Sequence, residues 1–232
     1  MHSGAVTLFV NSGALLAYNI RSASDGHRLG GSIRACSCLD SYQPIIAPIL
    51  IVFGYVLGSV PAAYMIARTR GVNILEVGTG NPGTANVFRS VSRPMGAVVL
   101  LADALKGFIP VVTADMVGAA DVLLLVVGAS AVVGHWYPAF LRFKGGAGLA
   151  TAVGAGIGLI LLPGAIGLAW GALIALSLRN TVYGAVIGYA GFMIVSRVFG
   201  VDWVTIFAAM SLAAIVMLRT IIINGLWRRD KG

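Results

Sequence analysis

The chain has 232 residues, 58% of them apolar and only 10% charged, with a formal charge of +8 and a mean hydropathy of +0.92. Soluble domains carry about a quarter charged residues, so this composition excludes an ordinary soluble domain and assigns the chain to the membrane. The positive charge is no nucleic-acid footprint: no basic stripe is interleaved with aromatics, and Lys and Arg fall at the ends of apolar segments, where they set orientation and meet anionic substrate or lipid.

Residues Met1–Tyr42 stand apart. Ala5–Ile20 is apolar but interrupted by Asn11, and it is shorter than the roughly 20 residues a helical span needs. Arg21–Ser41 is polar, with Gly30-Gly31 and several Ser. The charged start and small-residue cleavage site of a signal peptide are missing. The reading is a weakly ordered extension over residues 1–42, then one membrane domain over 43–232. Cys36 and Cys38 form a lone C-x-C without further Cys, and His2, His27 and His135 show no ligand spacing. Neither a metal site nor a cofactor is predicted.

The remainder resolves into seven apolar segments: Pro44–Ala67, Gly96–Val117, Val122–Leu141, Leu149–Leu162, Gly164–Leu178, Val182–Val195 and Trp203–Leu218. Lipid-facing sheet edges and loops leave backbone groups unsatisfied, so these segments are predicted to be helices of an all-α, seven-span membrane protein. The fourth to sixth are short for full spans. Arg68, Arg70, Arg89, Arg93, Arg142, Lys144, Arg179, Arg219, Arg228, Arg229 and Lys231 collect on one side, whereas the opposite connections hold Asp115, Asp121, Arg197 and Asp202. The positive-inside rule then puts the N-terminus outside, the C-terminus inside and the Gly-rich loops in the cytoplasm. Arg21, Arg28 and Arg34 on the outer side run against this pattern.

Between the first two spans lies Glu76 to Arg89, too rich in Gly, Pro, Asn and Thr to be a helix in lipid. Gly78, Gly80 and Gly83 open backbone angles closed to other residues, and successive N–H groups in such a turn can form an anion-binding concavity. Thr79, Asn81, Thr84 and Asn86 add neutral polar groups, and Arg89 adds a planar fork suited to phosphate. The stretch reads as a phosphate cradle at a membrane surface, against the plainer reading of a polar connection.

Three further groups fall on the same side. Asp103 and Lys106 stand at i, i+3 within the second span, either as a structural ion pair or as a ligand contact. His135, in Gly134-His135-Trp136-Tyr137-Pro138, is a group able to shuttle a proton near neutral pH, or else a packed histidine. Lys144-Gly145-Gly146-Ala147-Gly148 precedes an apolar helix and reads as a second nest at a helix N-terminus, or as a flexible turn. The single glutamate, Glu76, and the lack of a Ser-His-Asp arrangement argue against a paired-carboxylate hydrolase.

Taken in order, Gly58 to Tyr64, Gly78 to Arg89, Asp103-Ala104-Leu105-Lys106-Gly107, Gly134 to Pro138 and Phe143 to Thr151 carry a resemblance. From about Pro44 onward the chain resembles the bacterial acyl-phosphate:glycerol-3-phosphate acyltransferases, small seven-span inner-membrane enzymes. The resemblance implies acyl transfer from acyl phosphate to the 1-hydroxyl of glycerol 3-phosphate at the cytoplasmic face, with membrane lipid as surroundings and no cofactor. Carried onto this sequence, it implies catalytic roles for Thr79, Asn81, Asn86, Arg89 and His135. It implies substrate contacts from Gly78, Gly80, Gly83, Thr84, Lys106, Lys144, Gly145, Gly146, Gly148 and Arg219. The chain departs from the family pattern at Thr79 (usually Ser), at Thr84-Ala85 (usually Ala-Thr), at Ala147 (usually Lys) and at Arg219 to Asn224, where a His and an Asn three residues apart are usual. Those departures keep open a non-catalytic relative that binds phosphate-bearing lipid precursors; a small transporter is the remaining alternative. Oligomeric state is not specified by the sequence.

Overall fold

A computed structural model describes residues 33–177 and 181–229. Among them every regular element is helical: α1 (Ile33–Gly58), α2 (Ala62–Arg68), α3 (Thr84–Ser90), α4 (Arg93–Met116), α5 (Asp121–Trp136), α6 (Leu149–Leu159), α7 (Leu161–Ser177), α8 (Thr181–Val198) and α9 (Trp203–Arg229). The apolar stretch Ala5–Ile20, Arg179 and Lys231 lie outside the described residues. Ile33–Tyr42, assigned above to a weakly ordered extension, forms the first turns of α1.

Among the described residues, four stretches are long and apolar enough to cross a bilayer: Pro44–Arg68, Arg93–Met116, Asp121–Leu141 and Trp203–Thr220. α6 is shorter than predicted, and its 11 residues reach only about 16 Å, roughly half the hydrocarbon thickness. α9 continues to Arg229, well past the predicted end at Leu218.

The first predicted span is two helices. Pro61 has no N–H to donate and clashes with a preceding helical turn, so the ladder stops at Gly58. Ser59 N and its hydroxyl both turn back to Tyr55 O, at 2.9 and 2.8 Å. The Val60 carbonyl is left outside the helical ladder and accepts a short-range bond from Ala62 N at 3.0 Å. α4 starts cleanly, because the Ser92 hydroxyl accepts from Met95 N at 3.3 Å and Pro lies in its first turn. α9 starts on Asp202, whose carboxylate accepts from Thr205 N at 2.9 Å and from its hydroxyl at 2.8 Å. Those hydrogen bonds hold the Asp202 carboxyl below its ordinary range.

α6 touches α4, α5, α7 and α9. Its inward face is made of small residues, with Thr151, Ala152, Gly154, Ala155 and Gly158 all buried. Without a hydrophobic drive between helices in lipid, such backbones associate through close packing. A Cβ on Gly154 would strike the Ala104 carbonyl of α4, whereas Gly156, two residues on, has nothing within 4 Å of an added Cβ. Gly154→Val is expected to destabilise the protein by about 1–3 kcal/mol, and Gly156→Ala to leave it unchanged or slightly more stable; thermal unfolding in detergent separates the two.

Candidate functional site

The Gly-rich connection between α2 and α4 folds around Asn86. Its Oδ1 accepts from Thr79 N and from the Ser90 hydroxyl, each at 3.1 Å, and its amide donates to Ile74 O at 3.1 Å and to Val77 O at 3.0 Å. Both donors and both acceptor positions are therefore occupied, and the side chain is 3% exposed. Asn86 fastens the loop from within and has no donor left for a substrate. Gly78 and Gly80 turn with φ of +60° and +66°, a conformation that side chains resist. Gly83 does not need its freedom: at φ −133° and ψ 165° it is extended, and it leads into the short helix α3 that occupies the second half of the predicted non-helical stretch.

The predicted N–H nest is turned inward. Gly80 N donates to Val77 O at 3.0 Å and Gly83 N to Asn81 O at 2.8 Å, while Asn81 N lies 3.4 Å from the Thr79 hydroxyl oxygen. The loop offers side chains to a ligand instead of a row of free N–H groups. Thr79, Gly80, Asn81 and Pro82 line an open cleft of about 300 Å³ together with Leu75, Lys144 and Gly145. Lys144 is exposed, so its ammonium is free to swing over an anion there.

A narrow inner crevice adjoins this cleft, sharing Pro82 and Gly145 with it. It is lined by Asp103, Lys106, His135 and Gly146, among others. Lys106 Nζ lies 2.8 Å from Asp103 Oδ1 and donates to the freed Val60 carbonyl at 3.1 Å. The i, i+3 spacing thus forms a buried ion pair, and two of the three ammonium donors are used within the protein. His135 Nδ1 lies 3.2 Å from the Thr151 hydroxyl and 3.7 Å from Asp103 Oδ1. On the other edge of the ring, a Cβ built on Gly146 would collide with His135 Nε2 and approach Pro82 O and Asn81 Oδ1. The bare Cα of Gly146 is what lets the two Gly-rich segments meet over the histidine. Gly146 N closes that junction by donating to His135 O at 3.2 Å, and Trp136 Nε1 donates to Ala147 O at 2.8 Å. Gly145 is packed against the His135 and Trp136 carbonyls, and Gly148 caps α6.

Besides Asn86 and the glycines Gly78, Gly83 and Gly148, three further predicted site residues line neither compartment. Arg89 is exposed on α3. The Thr84 hydroxyl is buried and has no hydrogen-bond partner among the described residues. Arg219 lies over the Trp136 and Tyr137 rings, 4.6 and 5.1 Å from their centroids, and donates to the Tyr137 hydroxyl at 3.3 Å; it braces the turn after α5. Asp103, Thr151 and the Val60 carbonyl were absent from the predicted set. A hydroxyl on an otherwise apolar helix, and Pro61 inside a span, were the signals for the last two.

Residues 48–227 match the family model described as glycerol-3-phosphate acyltransferase. Curated relatives of that name include one from Rubrobacter xylanophilus, 45% identical over 143 residues, covering 60% of this chain and 70% of the relative. Another, from Geobacter sulfurreducens, is 46% identical over 110 residues, covering 47% and 57%. Among solved structures, the glycerol 3-phosphate form of PlsY (YgiH), an integral membrane glycerol 3-phosphate acyltransferase, matches with TM-score 0.65 and 31% identity over 77% of this chain and 92% of that one. Its lysophosphatidic acid form matches with TM-score 0.64 and 30% identity over the same shares.

The Asp103–Lys106 pair sets up a double-mutant cycle. Asp103→Asn or Lys106→Met alone leaves a buried charge without its partner and is expected to cost about 3–5 kcal/mol. The two together should cost distinctly less than their sum, as read by unfolding in detergent.

Proposed function

Since the chain belongs to the glycerol-3-phosphate acyltransferase family, we propose that it transfers a fatty acyl group from acyl phosphate to the 1-hydroxyl of glycerol 3-phosphate, giving lysophosphatidic acid and inorganic phosphate. The observation that carries this reading is the open cleft of about 300 Å³ with Lys144, Asn81 and Thr79 on its wall, backed by a crevice that holds His135.

The chemistry suits such a wall. An acyl phosphate is already activated, so the enzyme has to bring the carbonyl and the hydroxyl together and stabilise charge on oxygen. Lys144 neutralises a phosphate, the Asn81 amide orients it, and the Thr79 hydroxyl donates to it. The glycerol oxygen forms its bond to the acyl carbon as the carbon–oxygen bond to phosphate breaks, and the hydroxyl proton passes to the departing phosphate. His135 lies beneath Gly146, its Nε2 edge against that glycine, and backs the wall at which the acceptor hydroxyl is held. Lys106, Gly145, Gly146 and Gly148 shape the floor of the site, and Asn86 holds the loop that carries Thr79 and Asn81. No covalent acyl-enzyme is required.

The Arg and Lys asymmetry supports a cytoplasmic orientation of this face, with seven apolar segments, an external N-terminus and an internal C-terminus, and the family supports a bacterial inner membrane. Both substrates are anionic, which agrees with Lys144 on the cleft wall.

The test is phosphate release by purified protein given acyl phosphate and glycerol 3-phosphate. Asn81→Ala and Lys144→Ala should each lower kcat/KM by about 10²-fold, the scale of losing one donor to a developing charge. Arg89→Ala, remote from the cleft, should stay within about twofold of the native protein, the margin of a surface substitution. Binding of glycerol 3-phosphate without turnover, relieved by Ala147→Lys, would instead identify a relative disabled where the family carries its second lysine. Absence of both binding and turnover in the folded native protein would overturn the proposal.

A further inference from the structure

The turn after α5 has features the reaction does not use. That turn completes the apolar stretch Asp121–Leu141, since α5 itself ends at Trp136 after 16 residues. The chain leaves it not through a polar loop but through Tyr137-Pro138-Ala139-Phe140-Leu141-Arg142-Phe143. Phe140 and Phe143 are each 62% exposed, and Tyr137 is 48% exposed. The turn is stiff: Leu141 N and Phe143 N both donate to Pro138 O, at 3.1 and 3.0 Å, and Lys144 N donates to Leu141 O at 3.0 Å. Arg142 and Phe143 are consecutive left-handed residues, with φ of +50° and +60°, a conformation uncommon for residues with a Cβ. Tyr55 donates to Tyr137 O at 3.0 Å, and Arg219 donates to the Tyr137 hydroxyl at 3.3 Å, tying the base of the turn to α1 and α9. Arg142 is exposed, and no acidic side chain pairs with it among the described residues.

Rings held outward by a rigid turn at the end of a membrane-spanning stretch, with an unpaired cation between them, match the interface of an anionic leaflet: apolar rings below the headgroups, guanidinium among them. We propose that Pro138–Phe143 is a membrane lip whose Phe140 and Phe143 insert into that interface while Arg142 meets anionic headgroups. The lip runs straight into Lys144 and Gly145 of the open cleft, so it also sets the depth at which an acyl chain passes between leaflet and cleft. This second role rests on the acyl-transfer reading; the insertion does not.

The experiment uses the full chain in vesicles of phosphatidylcholine with about one quarter phosphatidylglycerol. Phe140→Cys, Phe143→Cys and Glu76→Cys, each with Cys36→Ser and Cys38→Ser, carry an environment-sensitive fluorophore. Glu76 is exposed on the Gly-rich loop and reports water. Fluorophores at 140 and 143 should be blue-shifted and quenched by lipids nitroxide-labelled near the top of the acyl chain, and more weakly in phosphatidylcholine alone or with Arg142→Ala. Fluorophores at 140 and 143 as wet and unquenched as that at 76 would overturn the lip, including in favour of a soluble partner. Replacing both rings by Ser should raise KM for a long-chain acyl phosphate by about tenfold, the scale of losing apolar contact, and leave KM for glycerol 3-phosphate unchanged. An unchanged KM with inserted fluorophores would refute the entry role alone. Inserted fluorophores on an inactive protein would support the lip while counting against acyl transfer.

Discussion

Lys106 reaches from α4 to two groups that lipid could not satisfy, the Asp103 carboxylate at 2.8 Å and the Val60 carbonyl at 3.1 Å. The rest of the site depends on that reach. Pro61 breaks the first span and leaves the Val60 carbonyl outside the helical ladder, bonded within its own segment only to Ala62 N at 3.0 Å; at membrane depth such irregular backbone is tolerated where protein covers it. Lys106 adds a second donor to that carbonyl, and Asp103 balances the charge. The same carboxylate lies 3.7 Å from His135 Nδ1, which also meets Thr151 of α6. The α1–α2 junction, α4, α5 and α6 are thus tied at one level. A single buried charge with its partners fixes the floor on which the open cleft rests.

Above that floor, the two Gly-rich segments are held by different means. The first is fastened by one amide, since Asn86 spends every donor and acceptor on loop backbone and Ser90. The second is held by approach, because Gly146 has no side chain to keep His135, Pro82 and Asn81 apart. Where they meet, the cleft wall carries an ammonium, an amide and a hydroxyl, and no carboxylate. Such a wall favours phosphate and repels nothing anionic. It does not provide a strong base, which matches a donor that brings its own proton acceptor.

Much of this was readable from the residues. The apolar segments became helices, because lipid leaves the backbone little choice. The i, i+3 spacing of Asp103 and Lys106 became an ion pair, because helical geometry dictates the distance. What escaped was decided by competition inside the loop. The N–H groups of Gly80 and Gly83 found carbonyls of their own segment, and Thr79 N found the Asn86 side chain. A count of glycines cannot reveal whether donors point out or in. Arg89 lines neither compartment, since residues from Thr84 onward form a helix on which it is exposed. Arg219 found two aromatic rings that are distant in sequence, a pairing that no local pattern encodes. The short α6 is viable because its small residues pack against α4, a property of the partner helix as much as of its own composition.

If a substrate phosphate sits in the open cleft between Thr79–Pro82 and Lys144–Gly145, a structure determined with glycerol 3-phosphate bound will reveal it. Phosphate density is expected within reach of the Lys144 ammonium and the Asn81 amide, with the glycerol hydroxyls directed toward His135. Density held instead by Arg89 or Arg219, with the cleft empty, would refute that placement and the chemistry built on it.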